Sequence, residues 1–366
     1  MRVRTRPVLQ WPGTAEAKRG RHPLARALMA AITQDVFGGP EVLHCAARPR
    51  PEPLPTEVQV RVQAVGLNPV DWNTRAGRGL PGLLKPPMVL GWDVAGVVEQ
   101  AGPGVHTLEP GDRVFGMPWF PRQAGGCAEY VTAPSRQFAR IPAGLDYVQA
   151  AAVPLAALTA WQSLVDAAHV TAGQRVLVHA AGGGVGHFAV QIARHLGAHV
   201  VGTASATKHD LVRSLGAHEV IDYTSVAFED VIDPVDAVLD MVGWASPDTA
   251  VRSLRVLKPG GIIVTVAPGP APGLPENARD YGARVSDFLV EPDSAALQAI
   301  ASLLEIKAIT PAIDGVFPLS DAAEAHRAGE QGHTAGKIVL RVATDASPER
   351  TVLDRDSPSH RATPKY

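Results

Sequence analysis

A glycine-rich turn between two apolar segments constrains this chain more than any other feature. Residues 175–205 read RVLVHAAGGGVGHFAVQIARHLGAHVVGTAS. The spacing predicts a strand over Val176 to His179, a tight turn, an amphipathic helix and a second apolar strand. That is one βαβ unit with a phosphate-binding turn at its first bend. Gly182, Gly183, Gly184 and Gly186 let the backbone turn sharply and approach a pyrophosphate, and Val185 lies among them. The helix that follows supplies free N–H groups and the positive end of its dipole. Val185, Phe188, Ala189, Ile192 and Leu196 recur at helical spacing, so one face is expected to pack on a sheet. A glycine motif alone is a weak signal; the flanking strands and helix give it weight.

The end of the second strand bears on which dinucleotide is bound. Sites for NAD place an acid about 20 residues beyond the first glycine to hold the ribose hydroxyls. Here that stretch is Gly202-Thr203-Ala204-Ser205-Ala206-Thr207-Lys208-His209, and no acid occurs before Asp210. Ser205 and Thr207 offer hydroxyls and Lys208 a cation, a cradle suited to a 2′-phosphate. NADPH is therefore the expected cofactor. An ordinary solvated lysine at a helix start is the plain alternative for Lys208.

The rest of the chain sets bounds on the class. Its 366 residues suit two domains. A formal net charge of −2 argues against nucleic acid as a partner. Only Cys45 and Cys127 are present, which gives neither a disulfide framework nor a metal cluster and points to the reducing cytoplasm. There is no apolar run of about 18 residues, so no membrane helix is expected. Residues 1–28 carry Arg2, Arg4, Arg6, Lys18, Arg19, Arg21 and Arg26 against the single acid Glu16. They are expected to be disordered, with the folded chain starting at Met29. A second disordered tail is expected over 344–366.

Between those ends the pattern changes once. Residues 30–153 hold short β segments broken by Gly and Pro, such as Val58-Gln59-Val60-Arg61-Val62, Val94 to Glu99 and Arg113 to Phe115. They suggest a small, partly open barrel. From residue 154 strand and helix alternate. Further strands are expected at Val220-Ile221, Ala237 to Leu239, Ile262 to Val266 and Val285 to Val290, which makes a six-stranded dinucleotide-binding sheet. Val242 and Ala267 then fall at the C-terminal ends of the fourth and fifth strands, where ligands collect. The segment Ala335 to Val342 is strand-like again, and the chain is expected to rejoin the first domain from about residue 305.

Ordered matches along residues 29–342 carry a family resemblance. They include Phe37-Gly38-Gly39-Pro40-Glu41-Val42-Leu43, Val65-Gly66-Leu67-Asn68-Pro69-Val70-Asp71 and Gly91-Trp92-Asp93-Val94-Ala95-Gly96. Gly125-Gly126-Cys127-Ala128-Glu129-Tyr130-Val131, the A-x-x-G-x-x-G of Ala180, Gly183 and Gly186, and Gly336-Lys337-Ile338-Val339-Leu340 continue the series. The chain resembles the medium-chain dehydrogenases/reductases, and among them the zinc-independent quinone oxidoreductases of the zeta-crystallin type. The resemblance implies an α/β protein with a GroES-like, partly open β-barrel catalytic domain (29–153 plus 305–343). The second domain implied is a doubly wound parallel-sheet Rossmann domain for NADPH (154–304). It implies that Asn68 approaches the nicotinamide or the acceptor carbonyl and that Asp71 holds the barrel loop. It also implies that Thr159 lies beside the carboxamide, Tyr223 near the adenosine phosphate and Lys337 near the cofactor. Asn73 stands where many of these reductases have a tyrosine, so an amide replaces a phenol at a candidate catalytic position. A homodimer is the family expectation.

The zinc enzymes of the same superfamily carry ligands at positions occupied here by Asn68, Trp92 and Pro154-Leu155-Ala156. A tetrahedral site needs thiolates and imidazoles, so no metal is expected. Without a Lewis acid, an acceptor that is already electrophilic, a quinone or an α,β-unsaturated carbonyl, is the expected substrate. The alternatives are an enoyl-thioester reductase and a non-enzymatic NADPH-binding or redox-sensing protein.

Overall fold

The computed structural model describes residues 27–79, 83–243, 246, 248–266 and 273–342. The expected disordered ends lie outside these residues except at 27–28. There the expectation needs correcting: Leu28 already belongs to the first strand, paired with Pro49.

The first half is built of β1 (Leu28–Gln34), β2 (His44–Pro49), β3 (Glu57–Leu67), the helix α1 (Pro69–Arg75), β4 (Met88–Val89), β5 (Asp93–Ala101), β6 (Arg113–Gly116), β7 (Tyr130–Pro134) and β8 (Phe138–Arg140). Two short helices, α2 (Tyr147–Ala151) and α3 (Pro154–Trp161), lead out of it. The second half holds β9 (Arg175–Val178), α4 (Gly186–His195), β10 (His199–Ala204), α5 (His209–Ser214), β11 (Glu219–Asp222), β12 (Val235–Asp240), α6 (Asp248–Ser253), β13 (Leu257–Thr265), α7 (Leu274–Asp280), β14 (Arg284–Asp287) and α8 (Ser294–Glu305). β15 (Ile313–Pro318), α9 (Ala322–Glu330) and β16 (Lys337–Arg341) complete the described chain.

The second half forms a six-stranded, all-parallel sheet in the order β11-β10-β9-β12-β13-β14. Val176, Leu177 and Val178 of β9 are fully buried, as a central strand covered on both faces requires. Each such side chain contributes about 1.5–3 kcal/mol on burial. The chain runs outward from β9 to one side and returns to β12 on the other, so a crevice opens beyond the C-terminal ends of these two strands. The glycine turn follows β9 and lies at that point.

Two details differ from the sequence pattern. The last strand ends at Asp287, not Val290, because Glu291 is captured by Gln162: its N–H donates to Oε1 at 3.1 Å and its carbonyl accepts from Nε2 at 2.9 Å. α4 is buried from Gly186 to Ala193, polar residues included, because α3 covers the side facing away from the sheet. Gln191 meets this burial by pairing with the Thr310 backbone, N–H to Oε1 at 2.8 Å and Nε2 to carbonyl at 3.0 Å.

The barrel sheet runs β15-β16-β3-β5-β6-β8, with β7 also on β3. β3 is eleven residues long, and its pairing with β5 shifts register twice. Such bulges bend a strand, and β3 reaches β16 at one end and β7 at the other. β15 and β16 therefore bring the chain's last described segments back beside the first half, with Ile338 opposite Leu67.

Candidate active site

The turn after β9 is shaped by close backbone contact. Ala180 adopts a left-handed φ of 49°, and the Gly183 N–H donates to its carbonyl at 2.9 Å. A Cβ on Gly186 would stand 2.1 Å from that same oxygen, so only glycine fits. α4 starts from Val185 without a side-chain cap; the His187 and Phe188 N–H groups donate to the Gly183 and Val185 carbonyls, each at 3.1 Å, so the N–H groups of Gly184, Val185 and Gly186 are the ones that face a ligand unengaged. Gly184 lies against the barrel half: a Cβ there would be 3.4 Å from Lys337 Cδ and 3.6 Å from the Gly336 carbonyl. Small glycines around a bare helix start form the cradle that a pyrophosphate fits.

At the far end of β10, Ala204 pairs with Asp222, so Ser205 and Tyr223 leave two neighbouring strands side by side. The hydroxyls of Ser205 and Thr207 are 3.2 Å apart, and Tyr223 is exposed. Lys208 is half-buried and donates to the Thr334 carbonyl at 2.7 Å, so it is not the free surface lysine of the plain alternative. Asp210 instead faces Arg213 at 3.5 Å. Val242 is half-buried beyond β12, where its N–H donates to Asp240 Oδ1 at 3.0 Å. Ala267 lies outside the described residues. Thr159 is buried on α3 and its hydroxyl donates to the Leu155 carbonyl at 2.7 Å, a helix back-bond.

The candidate catalytic residues sit on a buried polar knot. Asn68 caps α1, and Asp71 completes a capping box by accepting the Asn68 N–H at 2.8 Å. Its other oxygen accepts the Gly91 N–H at 3.1 Å. Burial pushes the Asp71 carboxyl up to about 7. Asn68 Nδ2 donates to Asp93 Oδ2 at 2.9 Å, while its Oδ1 accepts from the Lys337 ammonium. Lys337 also pairs with Asp93 Oδ2 at 3.2 Å, and Asp93 Oδ1 accepts the Leu155 N–H at the start of α3 at 2.7 Å. Asn68, Asp71, Asp93 and Lys337 are all at most 2 % exposed. Lys337 thus meets the cradle with its stem only; its ammonium is turned inward. Asn73 is half-buried on α1, where its carbonyl accepts the Arg78 N–H at 2.8 Å. Its side chain does not join the knot among the described residues.

Asp93 was not singled out by sequence reasoning. The available signal was a lone carboxylate within the apolar run Gly91-Trp92-Asp93-Val94-Ala95-Gly96, which must find a partner once buried. Trp72, Trp92 and Trp119 of the barrel half do not share one pocket wall; each has its own partner. Trp92 is core, edge-on to Phe120 and bonded to the Arg122 carbonyl at 2.7 Å. Trp72 packs against His326, and Trp119 bonds the Thr132 carbonyl at 2.7 Å. Cys127 is a packed residue whose thiol burial pushes well above its ordinary range.

Family models match two stretches: the alcohol dehydrogenase GroES-like domain over residues 54–143 and the zinc-binding dehydrogenase domain over 215–340. A quinone oxidoreductase from Pongo abelii is 35% identical, over 86% of this chain and 98% of its own length. A chloroplastic NADPH-dependent alkenal/one oxidoreductase from Arabidopsis thaliana is 34% identical, over 85% of this chain and 79% of its own length. The quinone oxidoreductase structure from Coxiella burnetii superposes with a TM-score of 0.80 at 35% identity, covering 87% of this chain and all of that one. The chain belongs to the quinone oxidoreductase family of the medium-chain dehydrogenases/reductases and is an oxidoreductase. The zinc in the second model's description does not fit these residues. Asn68, Trp92 and Leu155 are engaged as above and offer no thiolate or imidazole, and among the described residues no group of three His, Cys, Asp or Glu is placed to hold a metal. Among the same residues, no helix is long and apolar enough to cross a membrane.

Proposed function

We propose that this protein is an NADPH-dependent oxidoreductase that reduces a quinone or an α,β-unsaturated carbonyl without zinc. The observation that carries the proposal is the glycine cradle beyond β9, with the Asn68 loop held close by through Lys337. Gly183, Gly184, Val185 and Gly186 would hold the pyrophosphate, and Ser205, Lys208 and Tyr223 the phosphorylated adenosine. Thr159 would lie beside the nicotinamide carboxamide, and Val242 would line the crevice at the end of β12. The bound cofactor supplies a hydride for an electrophilic carbon.

The chain's own part is positioning and charge stabilisation. Asp71 fixes the Asn68 loop through two backbone N–H groups, and Lys337 with Asp93 fixes the Asn68 amide. One Nδ2 hydrogen of Asn68 remains to meet negative charge developing on an acceptor oxygen. Asn73, two residues after Asp71 on α1, would be a further contact to the acceptor. An oxyanion on a quinone or enone needs hydrogen-bond donors and a proton, not a Lewis acid. A homodimer is part of the proposal on the family resemblance alone; the two unpaired cysteines support a reducing, cytoplasmic setting, and the net charge of −2 speaks against a nucleic-acid partner. We place the domain division at 29–153 plus 305–343 and 154–304, supported by the separation of the six-stranded parallel sheet from the seven-stranded barrel sheet.

The test is loss of reduced-nicotinamide absorbance with 1,4-benzoquinone, 9,10-phenanthrenequinone and a simple enone, run with NADPH, with NADH and with a chelator. NADPH-dependent, chelator-insensitive turnover is expected. Turnover abolished by the chelator, or faster with NADH, would contradict the proposal.

A further inference from the structure

The discriminating end of the cofactor site draws on both halves of the molecule. The stem of Lys208 lies over Gly182, with Cδ 3.1 Å from where a Cβ on that glycine would stand. Its ammonium is tied to the Thr334 carbonyl at 2.7 Å. Thr334 belongs to a strap, residues 333–336, that leads into β16 of the barrel sheet. The strap is fixed in turn. The Ala335 N–H donates to Asp314 Oδ1 at 3.0 Å, and the Gly336 N–H donates to the Gly182 carbonyl at 3.0 Å. Gly336 has a φ of 92°, and a Cβ there would fall 2.3 Å from the Ala312 carbonyl, so the strap has little freedom to take another path. Asp314 is exposed on β15. Burial pushes the Lys208 amine down from its ordinary value, and the Asp314 carboxylate pushes it back up, which places the two groups within electrostatic reach.

A lysine that must be ordered by its ligand loses rotamer entropy on binding. Lys208 has already lost it. Its stem is pinned, one ammonium hydrogen is used, and two remain for an anion. A preset cation binds a phosphate more tightly than a free one. We propose that Asp314 is a positioning residue for cofactor choice: by holding the 333–336 strap it presets Lys208 for the 2′-phosphate, so the barrel half helps to select NADPH over NADH. This rests on the proposed NADPH site.

Simple electrostatics predicts the opposite, because removing an anion near the 2′-phosphate should tighten binding. The two accounts are separated by Asp314→Ala and Asp314→Asn in the full chain. Calorimetry would compare adenosine 2′,5′-bisphosphate with adenosine 5′-monophosphate, and hydrogen exchange would follow the Ala335 and Gly336 amides. In Asp314→Ala both amides should lose protection, and affinity for the bisphosphate should fall about five- to tenfold with the monophosphate unchanged. KM for NADPH should rise in parallel with kcat constant. Asp314→Asn keeps an oxygen for the Ala335 N–H and should retain both protection and affinity. A deprotected strap with bisphosphate affinity unchanged or tighter would overturn the proposal. So would loss of affinity in both variants with the strap still protected. A wild-type protein that binds the two nucleotides equally would instead remove the NADPH site itself, and the proposal with it.

Discussion

The glycine turn and the buried polar knot are neighbours in space but differ in origin. The turn is one continuous stretch, and its shape follows from contacts within a few residues, such as the 2.1 Å that a Cβ on Gly186 would leave to the Ala180 oxygen. The knot draws Asn68 and Asp71 from the start of α1, Asp93 from β5, Leu155 from α3 and Lys337 from β16. Asn68 and Lys337 are 269 positions apart. A local steric rule leaves a motif in the sequence. A nonlocal electrostatic one leaves only isolated residues whose purpose appears when the chain is folded.

The sharpest way to break this comparison is to unpair the knot. Asp93→Ala would leave the Lys337 ammonium buried without its counter-charge and the Leu155 N–H without an acceptor. Removing one partner of a buried pair costs about 3–5 kcal/mol. The urea midpoint should fall accordingly, and the double variant Asp93→Leu/Lys337→Met should recover much of the loss. A midpoint within error of the wild type would mean that the knot does not join the two halves.

The two regions should also respond to acid in opposite directions. In the cofactor half, His179 lies between Thr203 Oγ1 at 3.0 Å and Ser253 Oγ at 2.9 Å. Burial lowers its pKa from 6.5 to about 3. The folded state therefore refuses a proton that the unfolded chain accepts. This contribution is complete above 6.5 and is lost as pH falls toward 3, by about 5 kcal/mol at most. Asp71 has the reverse sign, since its folded value is raised from 3.8 to about 7. Its contribution is complete below 3.8 and is lost as pH rises to 7. Denaturation midpoints between pH 4 and 8 should lose part of their acid sensitivity in His179→Gln, the rest staying with His187 and His326, whose values burial lowers to about 4 and about 3. In Asp71→Asn they should lose the decline toward neutrality. The same slope in a variant as in the wild type would remove that residue from the account.

Within the turn, the glycines should not be equivalent. Gly186→Ala forces a backbone shift at the Ala180 carbonyl and should weaken NADPH binding about a hundredfold, some 2–3 kcal/mol. Gly184→Ala meets the Lys337 stem at an ordinary 3.4 Å and should cost far less. Fluorescence titration with NADPH orders the two. Equal losses would mean that both glycines, not Gly186 alone, are sterically required.

What the sequence revealed follows the same division. The six parallel strands were legible because a strand covered on both faces is a short apolar run, and the turn because only glycine permits it. The end of β14 was not, since Gln162 pulls Glu291 away from the sheet by a contact no local pattern contains. The full burial of α4 was not either, because a period of 3.6 reports one packed face while α3 supplies the second cover. Lys337 was visible as a lysine ahead of an apolar strand, but its inward turn toward Asp93 required the strand's place in the barrel. For Thr159 the helix back-bond was foreseeable from a hydroxyl within a helix, and it is the arrangement observed.

The smallest effect tests the argument from an absent acid. Asp210 is the first carboxylate beyond β10, and a ribose-binding role for it would favour NADH. It lies in the first turn of α5, fully exposed and turned to Arg213 at 3.5 Å, an exposed pair worth under about 1 kcal/mol. Asp210→Asn should therefore change the ratio of NADPH to NADH KM values by less than about twofold. Lys208→Met should collapse that ratio through the NADPH value alone. If Asp210→Asn instead raises KM for NADH severalfold, the carboxylate reaches the ribose in the bound state, and the selectivity assigned to Lys208 and its strap would have to be shared with α5.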